Sequence, residues 1–433
     1  MLEHRTGDQD LVAATHVCQC WRSTLISNPS LWTCFLFSGP NIDVDRTLTY
    51  LERSRSAPID VRVDLKSPRG FEVFKHLALH IARTRSLIVQ PGLHDTEVLQ
   101  ACLLLQTPSP TLQHLEVCVS GGPARLPDNF LGRQAPSLRS ITFNGIHLAF
   151  ESHLPLPSLI EIKLYLPKGT ALSHIGALFQ FLSDCPRLRK ICINSPEVLQ
   201  DITLDRIISL ESLVELDYTC STIGRIAPCL KLPRLERLRV SPLRRGQKFV
   251  DVLPHGGHTL LAGATEMSYY SSEFSQEIEF SGKGTNVSFT MPCSVMASTT
   301  IDWFPDDTCV PFGQIEYLTV GVSIAADFPV NIITFGSLRV LRIIPWNRRF
   351  AGEFLGSLHP GAEVPCRSLQ EIQYPCWGQL RPLISLVRER KRVGHQLALV
   401  RLVDSCLGPN QECVDELKEH VGEVRVEKSS GGM

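Results

Sequence analysis

Two histidines flank a glycine pair in His255-Gly-Gly-His258, and two imidazoles brought together are half of a metal site. Asp306-Asp307 could add carboxylate oxygens to a cation. Gly282-Lys-Gly-Thr285 carries the lysine, glycine and hydroxyl that close a phosphate-binding loop. Each falls short. No third ligand stands near the histidines, an acidic pair is ordinary turn chemistry, and Lys283 lacks the upstream glycine at the required spacing. The chain contains no G-x-S-x-G and no H-E-x-x-H. Its 15 cysteines form no C-x-x-C pair; the closest pair is Cys18/Cys20, and Cys185/Cys192 stand seven apart. Most lie in apolar periodic segments, as Cys102, Cys192 and Cys220 do, where a free thiol behaves as a small hydrophobe. An odd count without regular spacing argues against both a disulfide framework and a zinc module. The expectation is a protein without catalytic residues, metal or cofactor, and therefore not an enzyme.

Charge excludes further classes. Lys+Arg 43 against Asp+Glu 44 leaves a formal net charge of −1, so no global field draws in nucleic acid or an anionic membrane. The local basic run Arg388-Glu-Arg-Lys-Arg392 reads as the solvated face of a helix, with a localisation signal as the weaker reading. No signal peptide and no apolar run of membrane-spanning length stands out, which with the free thiols points to the cytoplasm or nucleus. The sequon at Asn286-Val-Ser288 is then a chance match.

The elements that would carry a function begin at Asp10–Trp32. Leu11, Ala14, Cys18, Trp21 and Leu25 recur in steps of three and four, which sets them on one side of a helix. Asp10 is a candidate cap for its start. Pro29 forbids continuation, because it lacks an N–H and clashes with the preceding turn. Leu31 and Trp32 follow at once.

Residue identity adds a resemblance. Val17-Cys18-x-x-Trp21-Arg22 followed by Pro29-Ser30-Leu31-Trp32 resembles the second half of an F-box. The leucine-proline opening and first amphipathic helix of that family have no counterpart in the first residues, so the N-terminal half of the F-box is missing. The resemblance implies a contact with a SKP-type adaptor, and through it a cullin ligase. Leu11, Val17, Cys18, Trp21, Leu31 and Trp32 would be the apolar anchors.

Downstream, a leucine followed by apolar residues at the third and fifth positions recurs. It appears at Leu112/Leu115/Val117, Leu138/Ile141/Phe143, Leu159/Ile162/Leu164, Leu188/Ile191/Ile193, Leu213/Leu216/Tyr218 and Leu235/Leu238/Val240. It resumes at Ile315/Leu318/Val320, Leu338/Leu341/Ile343 and Leu369/Ile372/Tyr374. Spacings of 26, 21, 29, 25 and 22, then 23 and 31, bracket the ~20–29 residue period of leucine-rich repeats. Each unit predicts a strand with alternating inward residues and a return segment. Ala171–Leu182 illustrates the return, with Leu172, Ile175, Phe179 and Leu182 on one helical face. Pro110, Pro136, Pro157 and Pro186, each two residues before a key leucine, would end those segments.

Between Leu235 and Ile315 the pattern lapses for 80 residues. Ala264/Met267/Tyr269 reads as a degenerate repeat, and Glu277–Phe280 with Asn286–Met291 as a hairpin across Ser281–Thr285. Strands are also expected at Ile59–Leu65 and Ser86–Val89, and helices at Asp45–Arg55 and Phe71–Ala82. At the other end, helix Leu380–Arg392, strand Ala398–Val403, helix Cys413–Val421 and strand Glu423–Glu427 finish the chain. Trp303, Phe304, Trp346 and Trp377 fall in connecting segments, either as gap fillers or as binding anchors.

The expected fold is α/β, an irregular leucine-rich-repeat solenoid preceded by a short helical partial F-box. Residues 1–38 form the partial F-box, 39–56 a connecting helix and linker, 57–405 the repeats with an irregular hairpin region near 245–310, and 406–433 a terminal cap and tail. This order is similar to the expanded F-box-like families of mushroom-forming fungi. The similarity implies a substrate-recognition subunit of an SCF-type ubiquitin ligase whose repeats bind a protein substrate. The alternative is a non-enzymatic interaction scaffold that does not dock to the ligase.

Overall fold

A computed structural model describes residues 7–37, 44–66, 69–90, 95–119, 124–127, 129–147, 156–166, 175–195, 207–219, 227–241, 253–255, 258–271, 275–292, 312–322, 335–345, 352, 354–356, 358–359, 364–375, 380–404 and 410–428. The chain is mixed α/β with mostly parallel strands. It divides into two compact units, Met1–Ile202 with Ile208–Leu213, and Thr203–Ile207 with Val214–Met433.

In the first unit the strands are β1 (Cys34–Phe37), β2 (Ile59–Asp64), β3 (Thr84–Gln90), β4 (His114–Cys118), β5 (Ser140–Asn144), β6 (Glu161–Tyr165) and β7 (Lys190–Asn194). Each pairs in parallel with the next in chain order. The register follows the apolar triplets. Leu115, Ile141, Ile162 and Ile191 stand in one row, and Val117, Phe143, Leu164 and Ile193 in another. All eight are buried, each worth roughly 1.5–3 kcal/mol of transfer free energy. A slip of one residue would turn both rows to the other face, so burial itself fixes the pairing.

The prolines have a more specific place than the sequence suggested. The N–H groups of Leu112, Leu138, Leu159 and Leu188 donate to the carbonyls of Ser109, Ala135, Leu156 and Cys185, at 3.1–3.2 Å. Each proline is therefore the second residue of a tight turn that delivers the key leucine into the core, a position its fixed φ favours. Leu213 and Leu235 close the same turn onto Leu210 and Leu232.

Helix α3 (Val44–Ser54) buries Thr47, Tyr50, Leu51 and Ser54 and leaves Leu48 exposed. Phe71–Ala82 is shorter than expected: helix α4 is Gly70–Ala78, and Ile81–Arg83 tightens into a 3-10 turn. The return helix is Ile175–Ser183, with Phe179 and Leu182 buried; Ala171 and Leu172 lie outside the described residues.

In the second unit β8 (Glu215–Thr219) and β9 (Arg237–Ser241) continue the parallel scheme. The lapse in the leucine pattern is an antiparallel ribbon, β10 (Ala264–Ser271), β11 (Ser275–Gly282) and β12 (Thr285–Pro292). It enters in reverse: β9 pairs with β12, β12 with β11, β11 with β10, and β10 with β13 (Tyr317–Val322). Two antiparallel steps restore the strand direction, so both outer pairings are parallel. The apolar rows pass through it. Val287 and Phe289 face Leu238 and Val240, and Met267 and Tyr269 face Leu318 and Val320. The hairpin strands are longer than expected, and only Lys283 and Gly284 turn. Gly284 has φ +79°, which glycine adopts without strain. β14 (Val340–Pro345), β15 (Glu371–Pro375), β16 (Leu399–Asp404) and β17 (Glu423–Lys428) follow in parallel.

Helix α5 (Leu380–Arg392) spans the expected residues, but its basic run is not uniformly solvated. Arg388 pairs with Glu416 of α6 (Gln411–Lys418), and Arg392 pairs with Glu389. Arg390 is fully buried and donates to the carbonyls of Pro365 at 2.8 Å and Cys366 at 3.0 Å. No helix among the described residues is long and apolar enough to cross a membrane.

Candidate partner-binding segment and rim cavity

The N-terminal segment is two helices rather than one. α1 (Gly7–Ala14) contains Asp10 as its fourth residue, so Asp10 is not its cap. Thr15 breaks the stripe: its hydroxyl turns back to the Val12 carbonyl at 2.7 Å, and its own carbonyl accepts from the Arg22 guanidinium at 2.9 Å. α2 (Gln19–Ser27) restarts with Cys18 as cap, the sulfur accepting from the Trp21 N–H at 3.4 Å. Asn28 ends α2 and caps the 3-10 turn Pro29–Trp32 through its side-chain oxygen.

The two tryptophans of the segment do opposite things. Trp32 is 1% exposed. Its indole N–H donates to the Leu25 carbonyl at 2.8 Å, and its ring meets Tyr50 edge-on with centroids 5.0 Å apart. Arg53 lies over the ring at 4.4 Å. Trp32 thus fastens the end of α2 onto α3, and it is not available as a surface anchor. With that end fixed, α2 buries none of its own residues. Trp21 is 53% exposed and Val17 64%, with Ile26, Leu31 and Cys18 also at the surface. Leu11 is half-buried. A helix held at one end with its apolar side chains in water is poised to gain free energy by covering them.

A second feature lies on the edge of the sheet where strands β4 to β7 begin. A cavity of about 360 Å³ is lined by Gln113, Ser137, Arg139, Ser158, Ile160 and Arg187. These residues stand inside or directly after the proline turns. In Pro136-Ser-Leu-Arg139, Pro157-Ser-Leu-Ile160 and Pro186-Arg-Leu the leucine goes inward, and its neighbours are left on the rim. Spacing alone marks the prolines and leucines of these turns but not the residues between them; the recurring Pro-x-Leu-x pattern is the sequence signal for the rim positions.

The remaining sequence candidates do not converge. His255 is exposed beside Lys231, and His258 starts a short helix ending at Leu261. Asp306, Asp307, Trp303, Phe304, Trp346 and Trp377 lie outside the described residues. Among the described residues no three His, Cys, Asp or Glu side chains gather closely enough to hold a metal ion. Burial pushes the thiols of Cys102, Cys185 and Cys366 up to about 12, which removes them as nucleophiles. Cys192 stands at an outward strand position and is only half-buried, unlike the core residue its setting suggested.

No protein-family model matches the chain, and no curated protein matches it.

Proposed function

We propose that the chain is a non-enzymatic receptor: a partial F-box that docks a SKP-type adaptor, followed by leucine-rich repeats that hold a protein substrate for an SCF-type ubiquitin ligase. The observation that carries this reading is α2. It exposes Trp21, with Val17 exposed just before its cap, while Trp32 locks its end to α3. A buried tryptophan would be expected of a helix that served only its own core. Aromatic anchors set among exposed aliphatic groups are what protein interfaces use.

Parallel in-register strands, each entered through the same proline-type turn, support the leucine-rich-repeat reading. The outward positions of those strands alternate with the buried rows and offer polar and charged groups to a substrate. The mechanism is proximity. Holding a substrate near the transferring enzyme raises the effective concentration of its lysine, with no bond chemistry in this chain.

The test is a binding measurement between the purified chain and a SKP-type adaptor, repeated with Val17→Ser/Trp21→Ala. Both residues are exposed, so the variant should keep its thermal unfolding profile. A complex formed by wild type and lost in the variant supports the receptor. No complex at micromolar concentration from folded protein leaves a repeat scaffold that does not engage the ligase.

A further inference from the structure

The rim cavity has an unusual balance of hydrogen-bonding groups. Gln113, Ser137, Ser158, Arg139 and Arg187 all carry donors, and no carboxylate is among its lining residues. None of these five side chains has a partner among the described residues. Several equivalent groups elsewhere are committed. At the turn position held by Ser137 and Ser158, Thr111 donates to the carbonyls of Ala82 and Thr84, Ser212 to Pro186, and Ser368 to Gly336. Two other rim arginines are committed: Arg85 pairs with Asp60 and Arg237 with Glu215. The carboxylate nearest in sequence, Glu161, is engaged by Lys163 at 3.1 Å, Lys190 at 3.8 Å and the Ser140 hydroxyl at 3.3 Å.

A site rich in donors with two positive charges selects a ligand that only accepts and carries more than one negative charge. A carboxylate brings one charge and two oxygens. A phosphomonoester brings about −1.5 to −2 near neutral pH and three strong acceptor oxygens. Arginine matches those oxygens through paired N–H groups. Nucleic acid is disfavoured, because no aromatic side chain lines the cavity to stack a base. The cavity volume also exceeds what a phosphoryl group alone fills, leaving Ile160 as an apolar wall for the carbon that bears it.

We infer that this cavity binds a phosphomonoester, with Arg139 and Arg187 supplying the charge and Gln113, Ser137 and Ser158 donating to the remaining oxygens. The site is independent of the adaptor reading, since it uses no residue of the N-terminal helices.

The experiment is a calorimetric titration of the full chain at low salt with inorganic phosphate, O-phosphoserine, serine, and a short peptide with and without one phosphoserine. Phosphate and the phosphorylated compounds should bind, and serine and the plain peptide should not. Arg139→Gln or Arg187→Gln should weaken binding roughly tenfold to a hundredfold, the effect of losing a charge-assisted contact. The double variant should abolish it, and Ser137→Ala/Ser158→Ala should weaken it less. A phosphopeptide that binds at least about tenfold tighter than free phosphate assigns the ligand to a protein segment; equal affinities assign it to a small phosphate ester. The inference is overturned if no phosphorylated probe saturates by about 10 mM. It is equally overturned if the double variant, folded by circular dichroism, binds as wild type does.

Discussion

The guanidinium of Arg53 lies 4.4 Å from the ring centre of Trp32, on an indole whose N–H is given to Leu25 at 2.8 Å. That pairing joins α3 to the end of α2 and separates the two tryptophans of the segment into a structural one and a free one. Trp32→Ala removes a fully buried aromatic and should cost about 3–5 kcal/mol in urea unfolding followed by far-ultraviolet circular dichroism. Trp21→Ala should change the same measurement by less than about 0.5 kcal/mol. Equal losses would mean that α2 packs on its own core after all.

Arg390 should prove the costly member of its basic run. Its charge is held by two backbone carbonyls in a fully buried site, and Cys366, one of the two, has φ +48°. Arg390→Met leaves those carbonyls unpaired and should destabilise by about 2–3 kcal/mol. Arg388→Ala and Arg392→Ala remove surface pairs and should change stability far less. Chemical unfolding of the three variants gives the order directly.

The ribbon turn offers a test of backbone against contact. At Gly284 an added Cβ meets nothing within 4 Å, so Gly284→Ala pays only for φ +79°, about 1 kcal/mol. Gly284→Asn should be nearly neutral, since asparagine tolerates that conformation. At Gly282 the same atom would overlap the Gly263 carbonyl oxygen. Gly282→Ala should therefore be the most damaging of the three in a thermal melt.

Thiol accessibility should divide the cysteines. Cys18 and Cys20 are exposed, while Cys102, Cys185 and Cys366 are buried with thiols raised to about 12. Brief alkylation of native protein near pH 8, read by peptide mass spectrometry, should label the first two and spare the other three until denaturant is added. Labelling of Cys102 at the rate of Cys18 would contradict the packing of its unit.

The nine apolar triplets from Leu112 to Tyr374 are buried throughout, as their spacing required. A strand's inward positions are set by a period of two, and a leucine delivered by a tight turn has only the core to enter. Helix Leu380–Arg392 was equally legible, since a long amphipathic segment specifies itself. Three matters were decided by tertiary structure. The reversed order of the ribbon depends on which strands pair, and that is settled between segments tens of residues apart. The separate fates of Trp21 and Trp32 depend on Tyr50 and Arg53, which local period does not see. The rim cavity arises because turns some 20 to 30 residues apart stack in register, so side chains from successive repeats meet at one point. Local pattern chooses which residues go inside; the stacking of distant segments chooses which outward residues become neighbours.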